Sequence, residues 1–277
     1  MQKIIVRGLT ILFFTFSIFH IAYSMVKQGK ANEEEEIAFS TDEELPINYL
    51  ENLYQELLQQ DSLLPREAFT NAIIGYFNLS KNAVLTTENT ILSIADMSQS
   101  ANNKRLWIID LKAKEILLNT YVAHGKNSGE EFALSHSNQI NSLQSSAGFY
   151  RTANTYMGKH GYSLRLEGLD TLFNDQAMQR AIVLHGADYV HENFINNHKR
   201  LGRSFGCPAV PQADKDFIIE TIKDGTCLYL HFDDERYLSQ SKWLQGNKES
   251  TWKYLAELQN SQNNTDFKVQ KEIDSSF

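Results

Sequence analysis

Apolar positions change their spacing several times along the chain, and the changes divide it into segments. Residues 9–21 (LTILFFTFSIFHI) are almost wholly apolar, with Lys3 and Arg7 before them and Ala22-Tyr23-Ser24 after. A basic start, an apolar run of that length and small residues two apart predict a secretory leader over residues 1–24. An uncleaved anchor is the competing reading, since the run approaches the length that spans a bilayer. His20 and the small residues at its end favour cleavage, after which no stable membrane insertion is expected. Residues 25–44 are polar, and Glu33, Glu34, Glu35 and Glu36 are consecutive. Like charges in a row repel and stay hydrated, so this stretch reads as an acidic linker.

Over residues 45–80 the apolar positions return at helical spacing. Ile47, Leu50, Leu53, Tyr54, Leu57 and Leu58 form one stripe, and Phe69, Ala72, Ile73, Tyr76 and Phe77 form a second beyond Pro65. Two helices that bury their stripes on the following domain are expected. From residue 85 the pattern becomes short runs rich in β-branched and aromatic residues: 90–95, 105–110, 115–122, 148–152, 162–167, 181–184 and 226–232. Gly, Asn and Ser clusters separate them. One helix is expected over 213–223, closed by Gly225. The prediction is a mostly β domain over residues 85–235, a sandwich or barrel with a few helices, preceded by the short helical segment. Residues 236–277 read as a polar tail, partly disordered, with a short helix over 252–258.

Composition narrows the function without naming it. The chain has 277 residues, 42% of them hydrophobic, and a formal charge of −8. An acidic protein without a basic run lacks the footprint that phosphate binding needs, so nucleic acid is excluded as a partner. Two cysteines, Cys207 and Cys227, are too few for a disulfide framework, although a single bridge between them is one reading. Against it, Cys227 stands in a strand-like run where cysteine serves as a small hydrophobe, while Cys207 stands in a glycine-flanked turn.

The candidate chemistry lies in residues 181–211, AIVLHGADYVHENFINNHKRLGRSFGCPAVP. A strand delivers His185-Gly186 at its end, and a loop leads to Ser204-Phe205-Gly206-Cys207. A cysteine nucleophile needs an imidazole to take its proton. A turn built on Gly206 lets backbone N–H groups converge on one point, as an oxyanion requires. Gly186 leaves its carbonyl open to fix the imidazole tautomer. A Cys and a His 22 positions apart are by themselves a weak signal.

The motif set is more specific. His185, an 18-residue spacer and Ser204-Phe205-Gly206-Cys207 resemble the catalytic motif of the L,D-transpeptidases of the bacterial cell wall. Residues 121–126, 145–149 and 214–226 are similar to further family motifs, so the resemblance covers roughly residues 85–233. The Gly-Arg-Ser-x-Gly-Cys-Pro-Ala-Val form resembles the branch called murein L,D-transpeptidase catalytic domain-like. The resemblance implies acyl transfer on peptidoglycan stem peptides, with Cys207 as nucleophile and His185 as base. Backbone N–H groups of Phe205, Gly206 and Cys207 would hold the oxyanion, and Ser204 would shape the turn. It implies no metal and no organic cofactor. An L,D-carboxypeptidase, another envelope cysteine hydrolase and an inactive wall-binding module are the alternatives, and oligomeric state leaves no mark.

Two positions depart from the family. Phe205 replaces a His, which leaves His185 as the base, and Ala209 replaces a residue that helps hold substrate in relatives. The other His-Gly pairs, His124-Gly125 and His160-Gly161, read as structural because neither ends a strand close before the cysteine. His191 and His198 match no compact zinc-ligand spacing. Asp188, Tyr189 and Arg203 flank the site and could equally line the groove or serve as packing and salt-bridge residues.

Overall fold

The computed structural model describes residues 41–86 and 90–245. The expected leader, most of the acidic linker and the helix expected over 252–258 lie outside the described residues. The chain separates into residues 1–44 and 45–277, and the second unit carries the fold. Helix α1, Thr41–Gln60, begins inside the stretch expected to be linker. Helix α2, Arg66–Lys81, follows as the spacing predicts.

The two helical stripes bury as expected. Leu53, Tyr54 and Leu57 of α1 and Phe69, Ala72, Ile73 and Phe77 of α2 join the core formed with the sheet. Trp107, fully buried in the sheet, donates its indole N–H to Asp61 Oδ2 at 2.7 Å and so ties the helix–helix turn to a strand. Gly75 permits the closest approach: a Cβ there would stand 1.9 Å from Phe149 Cζ.

Eight strands form one sheet in the order β3-β2-β1-β8-β4-β5-β6-β7. They are β1 Ile91–Asp96, β2 Leu106–Asp110, β3 Glu115–Thr120, β4 Gly148–Gly158, β5 Gly161–Gly168, β6 Val183–Ala187, β7 Ala209–Pro211 and β8 Cys227–His231. Strands β1 and β8 pair in parallel, as do β6 and β7, and the remaining neighbours are antiparallel. The chain just past β3 then reaches the opposite edge. Ala123 N–H donates to Ala209 O at 2.8 Å, and Ala209 N–H donates to Ala123 O at 3.4 Å. This bridge makes the sheet a nearly closed barrel, which satisfies edge groups that would otherwise stay unpaired.

Three differences from the sequence reading have physical causes. Strand β4 runs on to Gly158, because its polar outer half pairs with β5 across a bulge between Thr152 and Thr155. The spacer expected as loop contains helix α3, Glu192–His198, which buries no residue and so carries no apolar stripe to announce it. The expected polar tail starts with two short helices, α5 Glu235–Gln240 and α6 Lys242–Gln245, after α4, Lys215–Ile222. Tyr237, Trp243 and Leu244 bury against the core. Asp170, buried and pushed up to about 6 by that burial, accepts from Ser241 Oγ at 2.5 Å and from Phe149 N–H at 2.7 Å. Among the described residues no helix is long and apolar enough to cross a membrane.

Gly75→Ala tests the packing of α2 on the sheet. Alanine favours helix by roughly 1 kcal/mol, but here its methyl must displace the Phe149 ring. The expected net result is a loss of about 1–3 kcal/mol, typical of core overpacking, read as a lower urea midpoint. An unchanged or raised midpoint would show that the contact is loose.

Candidate active site

Strand pairing brings the two ends of the spacer together. In the β6–β7 register His185 stands opposite Ala209, and His185 N–H donates to Pro208 O at 3.4 Å. Cys207, one residue before Pro208, is therefore held beside the end of β6. Its sulfur lies 3.8 Å from Ala181 O, and the Val183 N–H also points to it.

The turn that presents Cys207 is closed by its own side chains. Ser204 Oγ accepts from Gly206 N–H at 3.0 Å and donates to Cys207 O at 2.5 Å. Gly206 has φ +122°, and a Cβ there would meet Gln144 O at 2.8 Å, so glycine is required on both counts. The Gly206 N–H is thus spent inside the turn, which corrects its expected place in the oxyanion site. The N–H groups of Phe205 and Cys207 make no hydrogen bond among the described residues. Phe205 is 65% exposed, with Lys126 Nζ 4.8 Å from its ring centre.

Around the turn, residues 126–146 form a loop that arginines fasten. Arg203 donates from Nη1 to Lys126 O at 3.0 Å and Gly129 O at 2.9 Å, and pairs with Glu130 at 2.8 Å. Arg180 donates to Ser137 O and Gln144 O, both at 2.6 Å, and to the hydroxyl of Ser146. Ser145 Oγ accepts from Gly125 N–H at 3.0 Å and donates to Gly206 O at 3.3 Å, joining the loop to the Cys207 turn. Arg203 therefore holds the loop rather than lining a groove. Phe205 and Ala209 separate cleanly. Phe205 faces outward, whereas Ala209 is fully buried with Ala101, Ala123, Ala187, Val190 and Leu201 and packs the barrel seam.

His185 is 2% exposed, and its Nδ1 lies 2.9 Å from Gly186 O. A carbonyl only accepts, so Nδ1 carries the proton and Nε2 keeps its lone pair. Burial lowers the His185 pKa, the Gly186 carbonyl opposes that, and the charges of His160 and Lys159 add to the lowering. Burial raises the Cys207 thiol, against the Val183 N–H and the charges of Arg180 and Lys159. Both shifts favour the uncharged forms, a neutral thiol at Cys207 and a neutral imidazole at His185. Tyr189, pushed up to about 12 by burial and then by the charge of Cys207, lies close by. Cys227 is fully buried in β8, and both cysteines are free thiols, so the bridge between them does not form.

The remaining histidines sort by surroundings. His124 is fully buried and accepts at Nδ1 from Arg105 at 2.8 Å, while Nε2 lies 3.3 Å from Gly129 O. His191 caps α3 through Nδ1, and His198 stacks on Phe194. His160, set aside by the sequence reading, lies with its ring against His185. It stands in a turn 25 residues upstream, and its His-Gly pattern alone does not place it against His185. Among the described residues no group of three His, Cys, Asp or Glu side chains is placed to hold a metal ion.

Residues 60–231 match a family model described as an L,D-transpeptidase catalytic domain. None of the curated proteins shows significant sequence similarity to the chain. Solved structures similar to it include an L,D-transpeptidase from Mycobacterium smegmatis, at 10% identity and TM-score 0.33, with 52% of this chain and 59% of that one covered. Another is the helical cell shape determining protein Pgp2 from Campylobacter jejuni, as a K307A mutant, at 14% identity, TM-score 0.35 and 71% and 64% coverage. A third is an L,D-transpeptidase from Stackebrandtia nassauensis, at 13%, 0.32, and 65% and 77%. The chain thus spans about six-tenths of the length of the first of these.

Native protein treated with a thiol reagent should take up one label, at Cys207, and a second only after denaturation. Equal labelling of Cys227 in the native state would contradict its burial. His124 makes a separate prediction about pH. Burial first, then Arg105, depress it from 6.5 to about 4, so between those values only the unfolded chain takes the proton. Its contribution is complete above pH 6.5 and is lost as pH falls towards 4, by about 3 kcal/mol in full. Unfolding free energies measured in urea should fall more gently with acid in His124→Gln, which keeps an acceptor for Arg105. Parallel slopes would refute the assignment.

Proposed function

The chain belongs to the L,D-transpeptidase catalytic domain family, and on that premise we propose an exported cysteine acyltransferase acting on peptidoglycan stem peptides, with Cys207 as nucleophile and His185 as base. The observation that carries the reading is the β6–β7 register. It pairs Ala209, two residues past Cys207, with a histidine whose Nδ1 is held by Gly186 O at 2.9 Å and whose Nε2 keeps its lone pair.

In the first half-reaction His185 Nε2 takes the thiol proton as Sγ attacks the carbonyl of the L-configured residue before a terminal D-residue. Negative charge gathers on the carbonyl oxygen. The N–H groups of Cys207 and Phe205 supply donors for it, since that of Gly206 is engaged by Ser204. The carbon–nitrogen bond breaks, His185 returns the proton to the departing amine, and a thioester remains on Cys207. In the second half-reaction an amine of another stem attacks the thioester, His185 accepts its proton, and the thiol is restored with a new crosslink. Water in place of the amine gives L,D-carboxypeptidase activity. A neutral resting pair suits this sequence because the base is free to accept at the moment of attack. The substrate lies outside the cytoplasmic membrane, which agrees with residues 1–24 acting as a leader.

Purified wall material incubated with the protein should lose terminal D-residues or gain L,D-crosslinks, read by muropeptide analysis, and Cys207→Ala should do neither. A carbapenem probes the first half-reaction alone. Intact mass should rise by one drug on the wild type and not on Cys207→Ala, and His185→Ala should slow acylation by about 10²–10⁴-fold, as for a removed general base. Unaltered muropeptides and no adduct would leave a wall-binding module as the reading.

A further inference from the structure

We propose that His160 is a positioning residue for the base: its ring lies flat on His185, shields that face from water and holds the imidazole in the orientation Cys207 requires. The inference rests on the catalytic pair proposed above. The two rings are 4.1 Å apart between centroids and 16° from parallel.

The placement comes from a tight hairpin. Strands β4 and β5 pair out to Gly158 and Gly161, so Lys159 and His160 alone make the turn. Gly161 has φ +76°, a conformation that glycine adopts without strain and that such a short turn needs. Three residues past His160, Ser163 pairs with His185 in the β5–β6 register. The hairpin tip is thereby anchored over the end of β6. His160 is exposed and His185 is almost fully covered, so the outer ring serves as the cover of the inner one.

Charged and titratable groups face His185 from each neighbouring element. The hairpin contributes Lys159 and His160, and on the other side β7 pairs its Ala209, two residues past Cys207, with His185. Helix α4 packs against the other face of β6, where Lys215 Cδ lies 2.8 Å from where a Cβ on Gly186 would stand. A proton on His185 would lose hydration beneath the His160 ring and would face Lys159. Stacked imidazoles also resist carrying two charges together. All these effects favour the neutral base. The stack further restricts rotation of the imidazole, which the Gly186 carbonyl fixes at its other edge.

The test is the NMR titration of the His185 ring in wild type, His160→Ala and His160→Phe, with the signal assigned by its loss in a His185 variant. Removing the cover should raise the His185 midpoint by about one pH unit and remove the ring-current displacement of its protons. Phenylalanine keeps a flat cover without a charge and should recover at least half of the shift. The acid limb of carbapenem acylation should move upward by the same amount as the midpoint. Coincident His185 titrations in all three proteins would overturn the proposal. So would a rate lowered equally at every pH with the limb unmoved, in a variant whose circular dichroism is native. A shifted midpoint in a protein that acylates nothing would uphold this contact and reject the catalytic reading instead.

Discussion

Strand β7 is three residues long, yet it is held from both sides. Ala209 pairs with His185 of β6 on one side and exchanges two backbone hydrogen bonds with Ala123 on the other. The first contact seats the cysteine turn beside the histidine, and the second closes the sheet. Barrel closure and assembly of the site are therefore one interaction. A larger side chain at Ala209 would have to enter the seam formed with Ala101, Ala123, Ala187, Val190 and Leu201, a cluster made mainly of small residues. Alanine at this position thus suits packing where backbones approach closely.

Fixing the turn leaves the chemistry to electrostatics. The Cys207 thiol and the His185 imidazole are shifted by burial in opposite senses, the thiol upward and the imidazole downward, and both shifts favour the uncharged forms. The nearby cations are deployed differently. Arg203 and Arg180 are committed to carbonyls and hydroxyls of the 126–146 loop, so their main work is to keep that loop against the catalytic turn. Cys227 shows what burial does without such surroundings: fully enclosed in β8, it is pushed far up and serves as core.

Much of this was legible in the sequence where a pattern was local. Leu53 and Leu57 at helical spacing gave a buried stripe, and the β-branched runs gave seven of the eight strands near their observed positions. His185-Gly186 and Ser204-Phe205-Gly206-Cys207 were visible because strand-end and turn signals flank them. What escaped depended on partners distant in sequence. Strand β7 is too short to carry a period and exists because Ala123 and His185 flank it. Helix α3 has no buried face, so no apolar stripe marked it. The use of Gly206 N–H by Ser204 Oγ is a matter of rotamer, which spacing cannot express. His160 reaches His185 only through the register of β5 on β6, and the same His-Gly pattern at residue 124 leads to a buried structural role.

The central claim is that Cys207 rests as a neutral thiol beside a neutral His185. Thiolate absorbance near 240 nm, measured against pH as the difference between wild type and Cys207→Ser, reads that state directly. The account predicts no thiolate signal at neutral pH and its appearance only above the ordinary thiol value of 9.0. A signal already present at neutral pH and lost only on acidification would mean a thiolate–imidazolium pair, and would contradict the account.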